Sequence, residues 1–571
     1  MSRKRIFGAA LPSALVVGIS IASTASGAPA EPALTLKLAK AKNVTVKWSF
    51  AALPTRDGSA IEIERSVNDG AFARVQKISR PKPGASWTDK FVPHGVLRYQ
   101  ARLLVNDEAR PYGAVAQITV GSAPTTTTVA PSNPTGTYRW SAKPGGERWL
   151  DSVIATDVAV ATDGTVLATG QFQGTANFGT GNRASAGNND IFVAKYSATG
   201  SVLWVKTYGG AGLDKGAAIA VAPTGEVVVA GTFANTVDFG AGPVASSGDT
   251  DGFLLVLTPS NGATVGNVVK LGGLRDDSAF DVAVRNSAIA VSGTFSDTAS
   301  IGGTPLRSSG GIDAFVAQYS LSTRTPAWGV RLGDGHLDRG WGVAIDSTGA
   351  VVLAADRGTA ANATNAVLTK RNGATGAAVW TREFNAAVAR AVAIGPNDDI
   401  VFAGTFSTSI NLGGGALNAL GDDVFVARLA PDGVRHIWSK RIGNVAPFSY
   451  TDTVTGVSVD ATGNAVVTGS AIGEISLGGI ALPASGGADP FLAKYSPTGQ
   501  HVWSKRFPSG DAQFQFPGGV ATGPGNVVAT AGGLRGRLSI DGHLLDARYR
   551  DSNNVLQSNQ SDDGYVALFA P

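Results

Sequence analysis

The chain has no cysteine and a single methionine. The first absence excludes a disulfide framework, thiolate chemistry and a lipid attached through cysteine, so stability has to come from packing and strand pairing alone. Charge is also sparse, at 16% Asp, Glu, Lys and Arg against 43% hydrophobic residues. A disordered chain shows the opposite balance. The histidines His94, His336, His436, His501 and His543 stand in unrelated positions, and no pair has metal-ligand spacing. No Gly-x-Ser-x-Gly, phosphate loop or dinucleotide fingerprint occurs. Beyond the first thirty residues, no stretch approaches the ~20 uninterrupted apolar residues of a membrane-spanning helix.

What is present points to an all-β protein. The 74 glycines punctuate short runs of Val, Ile, Ala and Phe, and 571 residues are too many for one ordinary core. Residues 1–30 read as an export signal. Arg3, Lys4 and Arg5 precede the apolar stretch Ile6 to Ala22, and small residues follow up to Ala30. A protein secreted or held at the cell envelope is expected, and an uncleaved anchor is the alternative. Residues 32–122 carry 14 Lys/Arg against 7 Asp/Glu, and residues 137–571 carry 30 against 35. The charge lacks the clustered basic face with stacking aromatics that nucleic-acid binding needs.

Residues 34–120 alternate as strands do, in Leu34–Leu38, Val44–Trp48 and Ile61–Arg65, with a hairpin turn at Asn68-Asp69-Gly70. With Trp48 as a core tryptophan and Tyr99 on the strand after Pro93-His94-Gly95, the segment resembles a fibronectin type III domain, which implies a small β-sandwich. Residues 121–137, rich in Pro and Thr, form a tether that cannot build a core.

From residue 138 the sequence repeats itself. Each copy has a tryptophan strand (Trp140, Trp204, Trp328, Trp380, Trp438, Trp503, with Asn267 in the third copy). A buried-looking strand such as Ala218–Val221 follows, then a turn such as Thr224-Gly225 and a hydrophobic strand ending in glycine. Last comes an Asp-x-aromatic strand: Asp190, Asp251, Asp313, Asp423, Asp489 and Asp563, with Asn365 in a degenerate copy. Four strands per period match propeller blades. Asp190-Ile-Phe-Val-Ala-Lys-Tyr-Ser197 and Asp489-Pro-Phe-Leu-Ala-Lys-Tyr-Ser496 resemble the bacterial extracellular seven-bladed β-propeller (SBBP-type) repeat. The resemblance implies an all-β fold over residues 138–571: a seven-bladed β-propeller, preceded by the fibronectin-like sandwich. The phase of the repeat makes strand 138–143 the missing fourth strand of the last blade.

Between the tryptophan strand and the next lie Asp151, Asp214, Asp277, Asp338 and Asp452, which are candidate cation ligands around a channel. Their recurrence equally serves turns, in which Asp accepts backbone N–H groups. Asp249-Thr250-Asp251-Gly252 raises calcium as a cofactor but lacks the remaining oxygen ligands, so no cofactor is expected. Non-repeating loop residues make better binding-face candidates, because the fold does not demand them: Arg148, Trp149, His336, Arg339, Trp341, Phe448, Tyr450, Phe514 and Phe516.

Three functions remain open. The first is a monomeric, non-enzymatic binding or scaffold protein whose loop face recognises a protein or polysaccharide at the cell surface. The second is a quinone-dependent dehydrogenase, echoed by the Gly-x-x-x-Trp of Gly376 to Trp380 but without vicinal cysteines or a quinone- and calcium-binding set. The third is a structural coat or matrix component. No catalytic residue is assigned.

Overall fold

Short runs of Val, Ile, Ala and Phe between turn glycines satisfy their backbone groups by pairing with the next run, and the computed structural model is accordingly nearly all β. It describes residues 136–571, apart from 147–150, 360–363, 446–451, 484–486, 510–514 and 548–561, together with the strands of an N-terminal segment. Among the described residues there is no α-helix. The chain divides into two units, Met1–Pro131 and Ser132–Pro571.

In the first unit, Val16–Val17, Ala33–Lys40, Asn43–Ser49 and Ser86–Lys90 form one sheet in that order. Ala73–Ser79, Ser59–Val67 and Gly95–Val105 form a second, to which Glu108–Tyr112 and Ala116–Val120 add on Gly95–Val105. The side chains of Trp48 and Tyr99, and the tether over 121–135, lie outside the described residues.

In the second unit an inner strand and three antiparallel partners recur. The first such sheet is Ser152–Val160, Val166–Asn177, Asn182–Tyr196 and Val202–Tyr208. The later inner strands are Lys215–Val221, Ser278–Arg285, Asp338–Ile345, Ala387–Ile394, Thr453–Val459 and Phe516–Thr522. Each inner strand lies against the next, and Phe516–Thr522 lies against Ser152–Val160. The third strands Asp423–Leu429, Asp489–Tyr495 and Asp563–Phe569 are buried at every position. Their neighbours cover both faces, which is why they read as continuous apolar runs rather than alternating ones.

The repeated residues make the joints between sheets. The indole of Trp140 donates to the Ala198 carbonyl of the following sheet (3.0 Å), Trp204 to Pro259 (3.2 Å), Trp328 to Gly373 (2.8 Å) and Trp438 to Pro497 (3.0 Å). Each indole packs beneath a left-handed glycine of that neighbour. A Cβ on Gly200 (φ 89°) would lie 2.8 Å from Trp140, and one on Gly376 (φ 71°) 2.7 Å from Trp328. The repeated Lys of the third strand is a tie rod. Lys494 pairs with Asp460 (2.9 Å) and Lys370 with Asp346 (2.7 Å) in their own sheets, while Lys195 donates to the Pro259 carbonyl of the next sheet (3.0 Å).

One joint breaks the pattern on both sides at once. Where Asn267 replaces the tryptophan, the facing turn carries Arg324 (φ 59°) in place of glycine, and its guanidinium lies over Gly266. Asn267→Trp alone is therefore expected to destabilise the protein, and Arg324→Gly to restore room for the indole. A double-mutant cycle in urea unfolding should show favourable coupling of about 1 kcal/mol or more. Additive effects would mean that the two sites are independent.

The last sheet unites distant parts of the unit, in the order Tyr138–Ala142, Asp563–Phe569, Val528–Leu534 and Phe516–Thr522. Trp140 pairs with Leu568 and Ala142 with Val566. Gly136 N–H donates to the Pro571 carbonyl (3.1 Å), Ala570 N–H to that of Thr137 (2.7 Å), and Lys143 pairs with Asp563.

Beyond the second and third strands, most sheets extend an outward hairpin. Phe172 pairs with Asp190, Phe233 with Asp251, Phe295 with Asp313 and Ala471 with Asp489, leaving a long excursion between partners. Several of these hairpins pair with the end of the preceding outer strand, as Gly272 and Gly273 do with Ser300 and Ala299. In the fourth sheet, Arg357 already pairs with Asn365, so this excursion is cut short beside His336 and Arg339.

Candidate functional site

Each inner strand slips against its partner by a β-bulge. The slip falls between Ala155 and Asp157, Gly216 and Ala218, Ala279 and Asp281, Gly340 and Gly342, Ala389 and Ala391, and Val454 and Gly456. In the last strand it falls between Pro517 and Val520. Glycine within the second strand faces it in most sheets, and the fourth has Ala355 opposite Gly340 instead. A Cβ on Gly170 would collide with the Ile154 carbonyl and come within 2.8 Å of the Phe192 ring, and Gly231, Gly293 and Gly404 are pressed in the same way. The second-strand glycine and the Asp-x-Phe aromatic are thus two halves of one contact. A bulge pushes its extra residue out of the ladder. Here those residues are Thr156, Ala217, Phe280, Trp341, Arg390, Thr455 and Gly519, and all of them line a cavity of about 480 Å³ bordered by the inner strands.

Two residues further along, the strands repeat β-branched side chains: Val158, Ile219, Val282, Val343, Val392 and Val457. The bulged layer does not repeat, and its character changes around the wall. Phe280 stacks on Trp341 with centroids 4.8 Å apart. The Arg390 guanidinium lies 3.8 Å from the Trp341 ring centre and Arg339 5.8 Å from it. The Trp341 indole donates to Asp356 Oδ2 (2.9 Å), and Arg339 is 3.8 Å from the same oxygen. Burial holds Asp356 above the usual carboxylate range despite these partners, and holds Arg390 below the usual guanidinium range. On the smaller side, the Thr156 and Thr455 hydroxyls donate to the Gly216 and Gly518 carbonyls of the next strand (2.6 Å each).

Two carboxylates sit in the wall one residue past the bulge. Asp157 Oδ2 accepts Ile219 N–H (2.8 Å), and Asp281 Oδ2 accepts Val343 N–H (2.7 Å), so each clasps the next inner strand. Burial pushes Asp157 up to about 7. It pushes Asp281 up to about 8, with the charge of Asp157 adding to the effect. Lys215 heads the second inner strand, at the place Arg339 takes in the fourth. It is solvent-exposed by area, yet desolvation lowers its ammonium pKa.

The sequence-derived candidates distribute unevenly over this geometry. Arg339 and Trp341 were expected on a loop face. They belong instead to the strand Asp338–Ile345, because the loop ends at Asp338 and the bulge turns Trp341 into the cavity. His336 stays on the adjoining loop, with Nδ1 2.7 Å from Asp334. Phe516 begins the strand Phe516–Thr522, 37% exposed, with Arg535 5.7 Å from its ring centre. Arg148, Trp149, Phe448, Tyr450 and Phe514 lie outside the described residues.

The recurrent acids are backbone clasps. Asp214 accepts Gly210 N–H (2.8 Å) and Ala234 N–H (2.9 Å). Asp277 accepts those of Gly273 (2.6 Å) and Ser296 (2.9 Å), and Asp338 those of Asp334 (2.9 Å) and Gly358 (3.2 Å). Asp151 accepts Thr175 N–H (2.9 Å), and Asp452 takes the Asn444 amide (3.3 Å). Asp251, in the calcium-like fragment, accepts Ser247 N–H (2.7 Å) and has Lys270 at 3.6 Å. Among the described residues, no group of three or more His, Cys, Asp or Glu is arranged to hold a metal.

Phe280, Arg390, Lys215, Asp157 and Asp281 went unread as site residues. Their signal is that they interrupt small-residue positions of otherwise matching inner strands, as Phe280-Asp281-Val282 does beside Ala217-Ala218-Ile219.

No protein-family model matches the chain, and no curated protein does. Among solved structures, it is similar to the quinohemoprotein alcohol dehydrogenase ADHIIG of Pseudomonas putida at 12% identity and a TM-score of 0.35, over 76% of each chain. It is also similar to a subtype N11 neuraminidase-like protein of A/flat-faced bat at 8% identity and a TM-score of 0.30, over 78% of this chain and 98% of that one. A third is the Synechocystis apocarotenoid oxygenase, at 12% identity and a TM-score of 0.25, over 75% and 82%. Similarities this slight carry no argument about activity.

Proposed function

We propose that the recurring sheets are the blades of a closed seven-bladed propeller of the SBBP type, carried behind a fibronectin III-like module. The chain is an exported, non-enzymatic recognition protein, and the mouth of the propeller's axial channel is its binding site for a protein or polysaccharide at the cell surface. One observation carries this reading: the bulged layer is the part of the inner strands that does not repeat, and its variation concentrates Phe280, Trp341 and Arg390 on adjacent strands with Arg339 beside them. A fold that needed only closure would be served by the small residues found at Ala217 and Gly519. Stacked aromatics with a guanidinium are typical of interaction hot spots.

Immobilised wild-type protein is expected to retain a cell-surface protein or glycan that Arg339→Ala and Arg390→Gln variants lose while melting at the wild-type temperature. Equal retention by all three would remove the channel mouth as the site. Reduction of a redox dye on addition of pyrroloquinoline quinone and calcium would overturn the non-enzymatic assignment.

A further inference from the structure

We infer that the axial channel recognises its ligand through a carboxylate, which Arg390 receives in the channel. This rests on the channel mouth being the recognition site, and it names the chemistry of what enters.

The Trp341 ring is not free to stack on a ligand. Phe280 covers one side at 4.8 Å, and the Arg390 guanidinium stands 3.8 Å from its centre. The stack thus holds the Arg390 guanidinium at the cavity wall. Among the described residues, Arg390 makes no hydrogen bond and no ion pair within 4.0 Å, although it borders the cavity. The nearest acid, Asp356, is already engaged by the Trp341 indole and lies closer to Arg339. A half-buried guanidinium fixed by stacking, with its donors unused, is pre-organised for a planar oxyanion, whose two oxygens match the fork.

Charge around the wall narrows the class. Among the described residues that line the cavity, the ionisable groups are Asp157, Asp281 and Arg390, with Asp356 behind Trp341. The sixth and seventh strands, Thr453–Val459 and Phe516–Thr522, contribute none. Arg390 is the cation among these groups. Burial shifts Asp157 and Asp281 toward the protonated form, which leaves the charge of Arg390 for the ligand. One guanidinium matches the single charge of a carboxylate better than a phosphate dianion. The cavity of about 480 Å³ admits a group the size of one sugar acid or a chain-terminal amino acid.

The test is calorimetric titration of the full chain at pH 7 with D-glucuronate and with N-acetyl-dialanine, which separates a sugar acid from a peptide C-terminus. The controls are D-glucose, N-acetyl-dialanine amide and inorganic phosphate. One of the two carboxylates is expected to bind at one site per chain, about tenfold or more tighter than its neutral counterpart and tighter than phosphate. Arg390→Gln should weaken it by about tenfold or more. Arg390→Lys, which keeps the charge without the fork, should fall between, and Arg324→Gln, a surface control, should change nothing. A thermal melt of each variant confirms folding, and Arg390→Lys with Arg339→Gln carries the comparison if Arg390→Gln unfolds. Absence of binding by both carboxylates, or affinity unchanged in Arg390→Gln, overturns the inference. If the immobilised protein still captures a neutral partner through Arg339, only the carboxylate assignment fails. If capture fails as well, the recognition site itself is misplaced.

Discussion

Trp140→Ala should cost about 3–5 kcal/mol, among the largest losses available to a single substitution in this chain. The indole is 8% exposed, donates to Ala198 and fills the space under Gly200. Truncation leaves that space empty between the last sheet and the first. The loss falls at the seam, because among the described residues the backbone of Tyr138–Ala142 pairs with Asp563–Phe569 alone. Urea unfolding of Trp140→Ala against Trp204→Ala separates packing from closure. Trp204→Ala opens a comparable cavity at a joint whose strands are consecutive in sequence, so the variant at 140 should unfold at lower urea. Equal midpoints, or Trp140→Ala matching wild type, would mean that the closing strand contributes nothing special.

The second large effect is a loss of stability as pH rises. Asp157 and Asp281 have folded pKa values of about 7 and about 8, far above the ~3.9 of an unfolded aspartate. The folded state therefore binds more protons than the unfolded state across that interval. The stability they contribute is complete below the unfolded value and is lost as pH climbs through the folded ones. Asp277 and Asp452, each raised to about 7, act in the same direction. The melting temperature should fall from pH 5.5 to pH 9. Asp281→Asn should flatten that slope by raising the melt at pH 9 while leaving it near wild type at pH 5.5. Each unit of pKa difference corresponds to about 1.4 kcal/mol, so the change should amount to several degrees. A melt that rises with pH, or an unchanged slope in Asp281→Asn, would contradict the buried, protonated state of this carboxylate.

Much of the second unit could be read from its residues, because each repeated letter is one side of a recurring contact. The tryptophan seats beneath the glycine of the next sheet, as Trp328 does beneath Gly376. The Asp-x-Phe aromatic covers the glycine ending the second strand, as Phe192 does at Gly170. The repeated Asp answers backbone N–H groups, as Asp277 does. The candidate site was less legible. His336, Arg339 and Trp341 stood out as departures from the repeat, but a period-two pattern cannot show a one-residue slip that sends Trp341 into the cavity rather than along the ladder. Arg390 was harder still, since Ala389-Arg390-Ala391 reads as an ordinary strand with one solvated charge. Only its placement beside the bulge of the preceding strand reveals the stack on Trp341.

The final sheet imposes an order on the making of the molecule. Lys143 and its partner Asp563 are 420 residues apart, so almost the whole second unit has to be synthesised before the seam can form. Until then, each completed sheet can dock on the one before it, but the first and the latest each keep one apolar side wet. A contact of such long range also slows the last step of folding. Until its last strand is made, the growing second unit therefore stays unsealed, and it becomes self-contained only once the closing strand finds its place.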